Sequence, residues 1–130
     1  MTEETEETLM DRVARQVVDA ALKVHKKLGP GLLESIYEVC LCHELKLRGM
    51  KVLRQLKLPI EYEGVVLETG LVIDLLVEDL VVVELKAVEK ILPVHEAQLL
   101  SYLRLAKKPL SLLINFNVPL IKDGIKRMRL

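Results

Sequence analysis

The chain has 130 residues, 51% hydrophobic and 29% charged, with 19 basic and 19 acidic side chains balancing to zero net charge. That length suits one core-bearing domain and that composition excludes disorder. The neutral balance argues against tight nonspecific nucleic-acid binding, which rests on Lys and Arg replacing counterions, and four aromatics (Tyr37, Tyr62, Tyr102, Phe116) are too few for a base-stacking platform.

Residues 1–8 (Met-Thr-Glu-Glu-Thr-Glu-Glu-Thr) read as an acidic tail without the apolar stretch of a signal peptide. Residues 9–130 read as a single domain with no repeat and no linker. From about Leu9, the residues Val13, Val17, Ala21, Val24 and Leu28 follow the 3.6-residue period of a first helix. Gly29-Pro30-Gly31 stops it, because glycine takes the left-handed position after the helix and proline cannot extend it. A second helix spans about Leu32 to Arg48, with a stripe of Leu33, Ile36, Tyr37, Cys40, Leu41 and Leu45. Cys40 and Cys42 fall on different faces of it, so they do not bridge, which fits a reduced cytoplasmic setting. Cys40-x-Cys42-His43 also lacks the spacing of a zinc finger.

From Lys51 the period shortens. Val52 to Tyr62, with Pro59 and then Glu63-Gly64, reads as short strands and a turn. Leu71–Val77 and Val81–Val88 are dense in Val, Leu and Ile, as buried central strands are. Pro93 opens a third helix, Val94–Ala106, and Lys107-Lys108-Pro109 closes it. Leu110–Phe116 is a last buried strand, and the basic remainder, Leu120–Leu130, is expected to be helical. The predicted order is α-α-β-β-β-β-α-β-α, an α/β fold with a mixed central sheet flanked by helices. No apolar run reaches the roughly 18 residues needed to span a bilayer. The apolar fraction exceeds what one small core hides, so a homodimer burying the surplus is expected.

Three charges interrupt the two apolar strands: Asp74 in the first, Glu84 and Lys86 in the second. Pleating puts Glu84 and Lys86 on one face. A three-residue loop, Glu78-Asp79-Leu80, sets Val77 against Val81 and therefore Asp74 against Glu84, whereas a two-residue loop sends the carboxylates to opposite faces. Side by side, two carboxylates repel and call for a cation, and Mg²⁺ suits such oxygen ligands. Lys86 then stabilises charge on a phosphate or orients the attacking water. The plain alternative is an edge hairpin whose charges face solvent. Gln98 and Tyr102, four apart, share a helix face, which an ordinary polar stripe also explains. Glu34 and Tyr37, three apart after Gly31, share another, where Glu34 alone would complement the helix dipole. His25 and His95 read as cap or surface residues, and Lys122, Lys126, Arg127 and Arg129 as a solvated face before a phosphate track.

Taken together, these segments bear a likeness to a known family. Gly31-Leu32-Leu33-Glu34-Ser35-Ile36-Tyr37 resembles the signature of the bacterial and archaeal G-x-x-E-x-x-Y proteins. So do Val24–Pro30, Val83–Val88, His95–Leu100 and Ile114–Asn117, over roughly residues 12 to 128. That family is placed in the P-D…(D/E)-x-K nuclease-like superfamily, so the resemblance implies a restriction-endonuclease-like core. It further implies metal ligation by Asp74 and Glu84, a catalytic role for Lys86, an acidic helix residue at Glu34, and the Gln98-x-x-x-Tyr102 pair of the exonuclease-like branch. Ile73 stands where a proline would precede the aspartate. The expectation is a Mg²⁺- or Mn²⁺-dependent nuclease acting on DNA. Asp74, Glu84 and, through water, Glu34 would hold the metal. Lys86, Gln98 and Tyr102 would serve catalysis, with Tyr37 in support. The rival is a noncatalytic nucleic-acid-binding or assembly module that retains the fold.

Overall fold

The structure, a computed structural model, describes residues 6–68 and 70–130. Residues 1–5 of the expected acidic tail lie outside the described residues, and helix α1 already begins at Glu6 and runs to Leu28. Its stripe Val13, Val17, Ala21 and Val24 is buried as the periodicity requires. Gly29, at φ 71°, ends it by returning its N–H to the His25 carbonyl at 2.7 Å. Helix α2 follows over Glu34–Leu47. Arg48, just past its end, fastens the two helices: Nε donates to Glu44 at 2.9 Å and a guanidinium nitrogen to Asp19 at 2.7 Å.

Among the described residues seven strands follow: β1 Val52–Lys57, β2 Ile60–Tyr62, β3 Val65–Leu67, β4 Val72–Val77, β5 Val81–Lys86, β6 Leu110–Asn115 and β7 Ile125–Arg129, with helix α3 at Pro93–Ala106 between β5 and β6. Five of them form a mixed sheet in the order β1-β4-β5-β6-β7. Only β5 and β6 run parallel, which the α3 crossover permits. β2 and β3 form a separate hairpin turned at Glu63-Gly64, where both residues have positive φ.

The sheet divides two cores. Val81, Val83, Leu85, Leu110, Leu112 and Ile114 pack under α1 and α2. Val82, Leu113 and Met128 pack against Leu99, Tyr102 and Leu103 of α3. β6 is buried at every residue, so its edge requires a partner strand.

That partner corrects the expected C-terminal helix: Ile121–Gly124 is a 3-10 turn, and Ile125–Arg129 is strand β7, antiparallel to β6. The charges alternate as strand periodicity demands. Lys126 pairs with Glu96 on the α3 side, and Arg127 with Asp11 on the α1 side. Lys and Arg on an exposed edge strand also discourage further strand pairing. One more short strand, β3, was not expected from the sequence. No described helix is long and apolar enough to cross a membrane.

Candidate active site

β4 and β5 pair as Val77↔Val81, Leu76↔Val82 and Leu75↔Val83, so residues 78–80 form the three-residue loop. One step further, Asp74 falls opposite Glu84. There the side chains take over the ladder: the Asp74 N–H donates to Glu84 Oε1 at 3.0 Å, and the Leu85 N–H to Asp74 Oδ2 at 2.9 Å. Each carboxyl thus accepts from the main chain of the opposing strand. The pleat changes phase here. Ile73 and Leu76 both pack on the α3 side, while Leu75 and Val77 pack on the other.

Both carboxyls are held above their ordinary range. Burial pushes Glu84 up to about 8, reinforced by the charge of Asp74 and partly offset by the Asp74 N–H and by Lys86. Burial likewise pushes Asp74 up to about 6; the Leu85 N–H opposes this, and Glu38 and Glu34 add to it. Two acids so raised in contact suit a divalent cation, whose charge relieves both the desolvation and the repulsion. Mg²⁺ is commonly held by one or two carboxylates with water completing its shell. Asp74 and Glu84 therefore fit such an ion.

Glu34 opens α2 and acts on both carboxyls by charge alone. Among the described residues no three His, Cys, Asp or Glu side chains converge in the arrangement of a metal cluster, so Glu34 does not join the other two as a third direct ligand. On the α3 side, Glu84, Lys86, His95, Gln98, Leu99, Tyr102 and Leu113 line one small depression. Gln98 Nε2 donates to Tyr102 Oη at 3.0 Å, joining the two across one helical turn. Tyr37 is not drawn into this group. It stacks on Phe116 at 4.5 Å and braces the preceding loop, donating to the Gly29 carbonyl at 2.6 Å and accepting from the Leu32 N–H at 3.0 Å.

Two side chains near the site, Glu38 and Gln55, escaped the sequence reading. Glu38, only 6% exposed, lies one turn beyond Glu34, and that four-residue spacing was the available signal. Gln55 bonds both Glu38 and Asp74; nothing in its flanking sequence marks it. His95 was expected as a cap or surface residue, and it caps α3: its N–H donates to the Leu92 carbonyl at 2.9 Å, and the Leu92 N–H to its Nδ1 at 3.0 Å. Its place in the depression beside Lys86 was not anticipated.

Neither the curated proteins nor the solved structures contain a match to the chain. Residues 11–128 match the family model of the PD-(D/E)XK nuclease superfamily. This span takes in both sheet carboxylates, the lysine two residues after the second, and all of the central sheet but Arg129 at the end of β7. The chain belongs to the PD-(D/E)XK nuclease superfamily.

Proposed function

We propose that this protein is a Mg²⁺-dependent nuclease, with Mn²⁺ an alternative ion, that hydrolyses phosphodiester bonds of DNA. The observation that carries the reading is the interlocked pair of raised carboxyls, Asp74 and Glu84, with Lys86 on the same strand. A divalent ion held by that pair supplies an activated water and a Lewis acid for a phosphoryl oxygen. Lys86 stabilises the charge that develops on the phosphoryl oxygens, or orients the water. The Gln98–Tyr102 bond fixes two polar groups beside it, and Glu34 adds negative charge from α2.

A noncatalytic nucleic-acid-binding or assembly module is the second reading. Its assembly form is favoured by the zero net charge and by the ion pairs that already engage Lys126 and Arg127, both of which weaken a hold on phosphates. Cleavage of labelled single-stranded, duplex and branched DNA, and of RNA, decides between them, with Mg²⁺, Mn²⁺ or chelator. Metal-dependent cleavage lost in Glu84→Gln supports the nuclease. Bound metal without cleavage of any substrate supports the module.

A cytoplasmic setting is part of the proposal, supported by two free thiols, Cys40 and Cys42. So is a homodimer, supported by apolar side chains left exposed at Val39 on α2 and at Tyr62, Val65 and Val66 on the β2–β3 hairpin. Sedimentation that finds only monomer at micromolar concentrations would refute the dimer.

A further inference from the structure

The middle of β1 departs from strand geometry. Arg54 and Gln55 are consecutive, and a regular pleat sends consecutive side chains to opposite faces. Yet both reach the same carboxyl: Arg54 Nε donates to Glu38 Oε2 at 2.9 Å, and Gln55 Nε2 donates to Glu38 Oε1. The backbone of Gln55 makes this possible by adopting φ 54°, the left-handed region that a non-glycine residue enters only under constraint. The flanking pairs Arg54↔Leu75 and Leu56↔Ile73 place this kink directly across from Asp74. The same Nε2 lies 3.3 Å from Asp74 Oδ1. The amide has no alternative orientation, because its carbonyl oxygen turned the same way would face two carboxylates.

We infer that Gln55 is a positioning residue, whose left-handed backbone holds its amide between Glu38 and Asp74 and so sets the Asp74 carboxyl beside Glu84 for a divalent cation. This rests on the metal-dependent reading above. Glu38, whose charge also acts on Asp74, is a carboxyl that could compete for the ion, and Arg54 and Gln55 engage one of its oxygens each. Asp74 Oδ1, by contrast, receives the shared amide at the longer 3.3 Å, which orients the carboxyl without consuming it. A role confined to tying α2 to the sheet would not need strain, since Arg54 already makes that tie from regular backbone. Strained backbone kept beside a charged site, where simpler geometry would serve the fold, is the pattern expected of a functional constraint.

The experiment separates fold from site. Q55G accepts φ 54° without strain but deletes the amide. In chelator it should still unfold cooperatively, relief of the strain offsetting part of the hydrogen bond lost at Glu38, yet bind Mn²⁺ about 10-fold more weakly by calorimetry, the scale on which outer-shell partners of metal ligands act. Q55M keeps the side-chain length and removes the donor, and the same loss of Mn²⁺ affinity is expected of it should Q55G fold poorly. Wild-type Mn²⁺ affinity in both variants would overturn the role of Gln55 and leave the nuclease reading standing. No Mn²⁺ binding by the wild-type protein would overturn the metal-dependent reading, and the role of Gln55 with it.

Discussion

Glu84→Gln should stabilise the metal-free protein while abolishing its metal binding. In the folded chain Glu84 titrates at about 8 against an ordinary 4.5, with burial the main cause. A raised acid favours the fold while protonated. Its contribution is therefore fully present below about pH 4.5 and lost as pH rises through about 8. At pH 7 the unfolded chain ionises Glu84 and the folded chain keeps it mostly neutral. The 2.5 units from the ordinary value of 4.5 to pH 7, at about 1.4 kcal/mol each, make the wild type less stable by about 3 kcal/mol. Glutamine removes that penalty and still offers an oxygen to the Asp74 N–H. Urea unfolding in chelator should show Glu84→Gln more stable by about 2–3 kcal/mol at pH 7, the lower figure allowing for relief shared with Asp74. At pH 5 the advantage should shrink to about 1 kcal/mol. A hundredfold excess of Mg²⁺ over its dissociation constant should then stabilise the wild type by about 2.7 kcal/mol and leave the variant unmoved. A variant less stable than wild type at pH 7, or an advantage that does not change with pH, would refute the reasoning.

Lys86→Ala should fold and bind Mg²⁺ normally, since lysine ligates nothing there, yet cleave DNA ~10²-fold more slowly, as measured by single-turnover kinetics. Tyr37→Phe leaves the Gly29 carbonyl and the Leu32 N–H without their phenol partner. Denaturant unfolding should register a loss of ~1–3 kcal/mol. Gly124→Ala places a Cβ 2.2 Å from the Asn115 carbonyl oxygen, so the turn into β7 must shift. A loss of about 3 kcal/mol is expected, with the melting temperature as the readout.

The hairpin that carries Asp74 and Glu84 was legible up to its register: the two dense strands marked it, but the choice between a two- and a three-residue loop, and so whether the carboxyls face each other, is decided by the strand pairing. The first two helices were legible from their period and their glycine stops, and the third from Pro93 at its start and Pro109 beyond its end. The C-terminal segment was not, because Lys122, Lys126, Arg127 and Arg129 carry charge without a clear apolar period. What decides its form is the unpaired edge of β6, a tertiary demand that the segment itself does not encode. Gln55 failed for a different reason. Its neighbours Leu53, Arg54 and Leu56 read as plain strand, and no glycine marks the left-handed backbone that brings its amide to Glu38. Local propensity predicts regular structure, and here the regular pleat would have sent Arg54 and Gln55 to opposite faces. The departure lies directly across from Asp74, at the step where the β4–β5 ladder also gives way to carboxyl bonds. Both irregularities converge on one residue pair, as expected when local rules yield to a charged site that the rest of the fold must hold in place.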